Sequence, residues 1–197
     1  MSQKDDSPSS NNALRAIATT FRLTGWISFW AQLVLGVVAI VILTFTGISR
    51  QVTDKSVNTG LGVFFALAGV LTLIPSVYWA FRYTRIAKQL QSSNPSNRPR
   101  KADTVQLLRL GLIVNLVGAT VSLVGAEAIV GALLTKSLTV PQVGAGVYQL
   151  DPSRIIQSID IFVVQANTNT ITAHFVGLSA SIWLLNRLTS KNKGVGE

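Results

Sequence analysis

The residues with chemical potential concentrate near the C-terminus, in the stretch IDIFVVQANTNTITAHFVGLSASIWLLN, Ile159 to Asn186. It is mostly apolar and long enough to cross a bilayer, yet it holds Asp160, Gln165, Asn167, Asn169 and the chain's single histidine, His174. At a helical step of 100° per residue, Asp160, Asn167, His174 and Ser181 fall on one face, seven residues apart. Polar and ionisable groups at membrane depth are costly, so they face protein or water and often mark function. With Glu127 from the preceding apolar segment, the carboxylates, amides and imidazole make one candidate polar path. Its members are Asp160, Gln165, Asn167, His174 and Glu127. Imidazole and carboxylate are ligands for divalent iron, zinc or manganese, and they can also relay protons. The plainer reading is interhelical hydrogen bonding, each bond contributing on the order of 1 kcal/mol. The residues leave both readings open, and they fix no metal. One histidine and two acids do not make a full metal cage, so an oligomer would be needed to multiply the ligands.

The elements that must position these groups are membrane spans. Of 197 residues, 48% are hydrophobic and 13% are charged, about half the charged fraction of a soluble domain. The mean hydropathy is +0.43. There is no cysteine, which excludes disulfides, thiolate metal sites and cysteine nucleophiles. Four apolar spans are expected at about 25–47, 60–81, 107–134 and 159–186, each long enough for about 30 Å of hydrocarbon. Pro75 is expected to kink the second. Residues 1–12 read as a disordered polar tail, 13–188 as the membrane domain and 189–197 as a second polar tail. Asn11 or Asn12 could cap a helix from Ala13. That amphipathic segment, to Phe29, is either an interfacial helix or an extension of the first span. The fold class is therefore all-α: an integral membrane protein with four transmembrane helices and an N-terminal interfacial helix. Polar loops are expected at 82–106, mobile at its middle, and at 135–158, where Asp151-Pro152-Ser153 resembles a helix start.

In the third span Gly111, Asn115, Gly118, Ser122 and Gly125 form a stripe of small residues, which lets helix backbones approach closely. Glu127 lies nearly opposite. A carboxylate there either meets protein on that face as well, or lies near the interface and snorkels.

The net charge of +9 is carried by loops beside apolar spans, which fits lipid headgroups and topology rather than nucleic acid. Lys4, Arg15, Arg22, Arg82, Arg85, Lys88, Arg98, Arg100, Lys101, Arg187, Lys191 and Lys193 share one side of a four-span topology. The other side has Arg50, Lys55, Lys136 and Arg154. The positive-inside rule then places both termini in the cytoplasm, and Trp26, Trp30, Trp79 and Trp183 all fall near that side. No phosphate loop, zinc-protease motif or nucleophile elbow is present. GLGVFFALAG is glycine-rich but lies within a span. No enzyme class and no cofactor are indicated.

Three segments give a family resemblance. They are DIFVVQANTN followed by Ala173-His174-Phe175, the opening FRLTGWISFWAQLVLGVVA, and FRYTRIAKQL. Together they resemble a small four-span family shared by cyanobacteria and chloroplasts. Its plant member is a component of the chloroplast inner-envelope protein-import translocon, also named permease in chloroplasts. The resemblance covers Ala13 to about Leu188. It implies either iron permeation, with an oligomer as the acting form, or a non-enzymatic role as translocon subunit or membrane scaffold. The partners implied are the bilayer, a second copy or a membrane complex, and a metal ion. Plant members carry a transit peptide, and its absence here makes a cyanobacterial plasma or thylakoid membrane the expected location.

Overall fold

A computed structural model of the chain describes residues 8–53, 60–92, 94–139 and 155–189. Four long helices account for nearly all of them: α1 (Pro8–Thr53), α2 (Gly60–Leu90), α3 (Lys101–Thr139) and α4 (Ser158–Thr189). A 3-10 turn, Pro95–Asn97, lies between α2 and α3. No strand occurs among the described residues.

Each helix runs antiparallel to its sequence neighbour. Phe29 of α1 meets Phe81 of α2 at 5.9 Å between ring centroids, and Ala39 packs with Val70 and Ala166. Asn167 of α4 reaches Ser122 of α3, while Lys136 of α3 reaches back to Asp160 of α4. Phe45 of α1 meets Phe162 of α4 at 6.1 Å, which closes the ring of helices. The result is an up-down-up-down four-helix bundle in which α2 and α4 approach across the diagonal. Both ends of the described chain lie at one end of the bundle, called here the terminal end.

The contact face of α3 has a strict seven-residue repeat. Thr104, Leu108, Gly111, Asn115, Gly118, Ser122, Gly125 and Ile129 are all buried, spaced alternately four and three apart. Such a seam is what nearly aligned helices bury against one another. The polarity is inverted relative to a water-soluble bundle. Gln32, Ser76, Asn115, Asn167 and His174 are inside, whereas Val34, Val37, Val41, Leu71, Ile74, Ile113 and Leu116 are exposed. Hydrocarbon gives apolar side chains no reason to hide, so packing and hydrogen bonds hold the interior together. Helices α1, α2 and α3 are long and apolar enough to cross a membrane.

Three expectations are corrected. The amphipathic N-terminal segment is no separate interfacial helix, because α1 continues through Gly25 without a break. Its apolar residues are needed by the bundle: Phe21 is wholly buried with Tyr83, Ile86, Ala87, Leu108 and Leu184. The helix starts at Pro8, whose fixed φ suits a first turn, so positions 11 and 12 lie inside it rather than at its start. Most of the expected loop 82–106 is helical, since α2 runs to Leu90 and α3 begins at Lys101 with Asp103 in its first turn. The connection that remains is held by local bonds: Ser96 donates from both N and Oγ to Asn94 Oδ1, at 3.1 and 2.8 Å, and Arg98 Nε donates to the Ser92 carbonyl. α2 passes through Pro75 unbroken. Asp151-Pro152-Ser153 and residues 140–154 of the expected loop lie outside the described residues, as do residues 1–7 and 190–197 of the expected tails 1–12 and 189–197, whose remaining residues belong to α1 and α4.

Candidate functional site: a polar column through the bundle

The predicted face of α4 is the buried one. Asp160, Asn167, His174 and Ser181 retain 3, 2, 0 and 0% of their surface. Each is bound to a neighbouring helix. Lys136 Nζ donates to Asp160 Oδ2 at 2.9 Å. Asn167 Nδ2 donates to the Ser122 carbonyl at 2.9 Å. His174 Nε2 lies 3.0 Å from Thr72 Oγ1 and 3.3 Å from the Gly69 carbonyl, and Nδ1 lies 3.4 Å from Asn115 Oδ1. Ser181 Oγ and Tyr83 Oη are 2.9 Å apart.

The middle of the column crosses all four helices. Ser76 Oγ lies 2.5 Å from both Gln32 Oε1 and Asn115 Oδ1, and Gln32 Nε2 lies 2.7 Å from Ser28 Oγ. One hydroxyl proton serves one acceptor. Asn115 is fixed by Nδ2 donating to the Gly111 carbonyl at 2.8 Å. The Gln32 amide satisfies the set when turned over, donating to Ser76 and accepting from Ser28. The Thr72 hydroxyl is itself committed to the Gly69 carbonyl at 2.6 Å. Both nitrogens of His174 therefore face oxygen acceptors, and a neutral imidazole has a proton for only one of them. Asn167 Oδ1 is buried and meets no donor.

Glycines make this core possible. A Cβ on Gly118 would collide with Cε1 and Nε2 of His174, and a Cβ on Gly177 would collide with the Asn115 amide. His174 and Asn115 thus each rest on a bare α-carbon of the other helix.

Depth follows from the helix rise. Ser181 to Asp160 is 21 residues, about 31 Å, which matches a hydrocarbon thickness of roughly 30 Å. Trp79 flanks Gly111 beside Tyr83, Gly25 meets Tyr83 and Thr84, and Trp26 and Trp30 stack at 6.2 Å. Together with Trp183 these rings lie around the level of the Tyr83–Ser181 pair. The Lys136–Asp160 pair marks the opposite edge. The Asp160 carboxylate also accepts from the Gln157 backbone N–H at 3.1 Å, while Asp160 N donates to the Gln157 backbone carbonyl. The first bond is the acidic half of a capping box at the start of α4, and an acid there complements the helix dipole.

Two sequence candidates lie elsewhere. Glu127 is exposed on the outside of α3, within about one turn of the Asp160 level, and none of the described residues covers that face. Gln165 is exposed on the outside of α4 and donates to Asn169 Oδ1 at 3.0 Å. Asp160, Asn167 and His174 share the column. All five members of the α3 small-residue stripe are buried. Missed were Ser28, Thr72, Ser76 and Tyr83. Ser28 and Gln32, four apart in an otherwise apolar run, were the available signal. Among the described residues no three of His, Cys, Asp and Glu come together.

A bundle of long apolar helices with a polar interior defines a multi-pass membrane protein. The chain belongs to the family described as a protein of unknown function, DUF3611, whose pattern matches residues 11–189. It is also 40% identical over 178 residues, 87% of this chain, to the Arabidopsis thaliana protein named TIC 21 and described as chloroplastic. The chain spans 57% of that relative's length. No solved structure matches it.

Proposed function

We propose that the chain is a non-enzymatic, four-span membrane permease that passes a small cation along the column, iron being the cargo that the family resemblance suggests. The observation that carries this is the run of buried polar groups from Asp160 to Ser181, about 31 Å long with His174 near its middle. α4 lies antiparallel along α1 and α3 from one end to the other, so it crosses with them although its polar face lowers its hydropathy. The excess of lysine and arginine at the terminal end puts both termini in the cytoplasm, of a cyanobacterial plasma or thylakoid membrane on the resemblance. Oxygen atoms and an imidazole lone pair form a weak ligand set, which suits a cation that must enter and leave. Side chains fill the column in this conformation, so passage requires α4 to move against α3. The test is uptake of ferrous iron into liposomes containing the purified protein, with manganese and zinc alongside. Uptake above protein-free liposomes, abolished by His174→Ala without loss of membrane insertion, is expected. No flux in the unmodified protein would end this reading.

A different observation favours a second reading, a subunit of a protein-import translocon or a membrane scaffold. The α4 groups of the column already bind α2 or α3, as interhelical glue does. That reading expects no flux, and co-purifying partners that are lost on Gly118→Leu.

A further inference from the structure

α4 carries a second polar stripe, on the side facing away from the bundle. Gln165, Thr172, Ser179 and Asn186 are seven residues apart and all exposed. Interleaved with them are Thr168, Phe175 and Ile182, also exposed and also seven apart. This is a complete alternating three-and-four seam on which none of the described residues packs. The exposed faces of the other helices are mostly apolar at this depth, Thr44 on α1 and Thr120 and Glu127 on α3 apart. Val34, Val37 and Val41 on α1, Phe64, Leu67, Leu71 and Ile74 on α2, and Ile113, Leu116, Val117 and Leu123 on α3 suit contact with lipid.

On the α4 side the Thr168 and Thr172 hydroxyls fold back onto the Val164 and Thr168 carbonyls, at 2.9 and 2.8 Å. Gln165 and Asn169 make one bond between them, at 3.0 Å. Among the described residues, their remaining amide hydrogens and the Gln165 side-chain carbonyl meet no partner. Gln165 lies about 10 Å from the start of α4 and Thr172 near the helix midpoint, both at hydrocarbon depth. An amide left unpaired there costs several kcal/mol, so something other than lipid covers it.

We propose that this seam pairs with the same seam on a second copy of the chain. All copies insert with one orientation, so the Gln165–Asn169 amides of two copies lie at the same depth. Each amide carries both donor and acceptor, so a two-fold axis along the membrane normal brings complementary groups together. The seam also reuses what the bundle interior uses between its own helices: small hydroxyls and amides at heptad spacing. The inference rests on the membrane-spanning part of the functional reading and is independent of cation passage.

The chain contains no cysteine, so single-cysteine variants report cleanly. Full-length Thr172→Cys and Ser179→Cys, oxidised in intact membranes, are expected to give a disulfide-linked species of twice the chain mass. Val37→Cys, exposed on α1, should not. Gln165→Leu with Asn169→Leu in the Thr172→Cys background should reduce the yield several-fold. Equal cross-linking at Val37→Cys, or a product whose mass shows a different protein, overturns the proposal. So does labelling of Thr172→Cys by a charged, membrane-impermeant thiol reagent, which would mean that the stripe faces water. Labelling of Val37→Cys by the same reagent would instead refute the membrane spans themselves. A lack of cation flux alters none of these readings.

Discussion

The imidazole of His174 rests on the bare α-carbon of Gly118, where a Cβ would strike ring atoms Cε1 and Nε2. Three residues along each helix the relationship reverses, with Asn115 of α3 resting on Gly177 of α4. The two helices are locked by a reciprocal exchange of large polar group and glycine. Gly118→Ala is therefore expected to destabilise by about 1–3 kcal/mol, the usual effect of overfilling a packed interior. His174→Ala should recover part of that loss, because it vacates the space the new methyl needs. Thermal unfolding in detergent of both single variants and the double variant measures the coupling. Simple additivity would show that the two residues do not compete for space.

At the far edge, Lys136 and Asp160 form a 2.9 Å pair with side-chain exposures of 17 and 4%. Lys136→Met takes a cationic partner away from a buried carboxylate, and is expected to cost about 2–4 kcal/mol. Replacing both, with Asp160→Leu added, should cost less than Lys136→Met alone. Chemical unfolding in mild detergent compares the two. A double variant weaker than both singles would show that Asp160 acts mainly through its cap on Gln157.

The hydrogen bond between Tyr83 and Ser181 is the column's last bond at the terminal end. Tyr83→Phe removes it and leaves the tyrosine's packing in place. Ser181 still donates to the Gly177 carbonyl at 2.9 Å, so no buried donor is orphaned. A loss of about 1 kcal/mol is expected, detectable as a small drop in melting temperature. A loss as large as that of Gly118→Ala would mean that the phenol holds more than this bond.

The tryptophans test the depth assignment. Trp26, Trp30, Trp79 and Trp183 lie near one level, so lipids brominated close to the headgroup should quench their fluorescence more than lipids brominated at the chain end. Stronger quenching by the chain-end bromines would move the membrane along the bundle.

Much of this arrangement was legible in α4 and α3 because a seven-residue repeat needs only one helix to be seen. Asp160, Asn167, His174 and Ser181 could be placed on one face before any partner was known, and so could Gly111 to Gly125. Partners on other helices were not legible. Thr72 and Ser76 are single hydroxyls in an apolar run, Tyr83 stands between Arg82 and Thr84 in a segment that reads as a polar loop, and nothing local distinguishes a hydroxyl that meets another helix from one that bonds its own backbone. Gln165 and Glu127 were grouped with the column by residue type and depth. Helical angle separates them: Gln165 lies five residues, about 140°, from Asp160. The unbroken course of α1 was hidden because Gly25 and Trp26 look like a boundary. Gly25 is instead a close contact with Tyr83 and Thr84.

That unbroken course has a mechanical consequence. At 46 residues α1 is about 69 Å long, more than twice the hydrocarbon thickness. The part from Pro8 to Gly25 stands about 25 Å beyond the tryptophan level as a stalk braced by the ends of α2, α3 and α4. Ser28 and Gln32, which anchor Ser76, sit just below on the same rod. A tilt applied to the stalk reaches the polar column with no hinge to absorb it, and a shift inside the membrane is displayed at the stalk. The helix is one continuous rod that joins the stalk to the polar column across the level of Trp26 and Trp30.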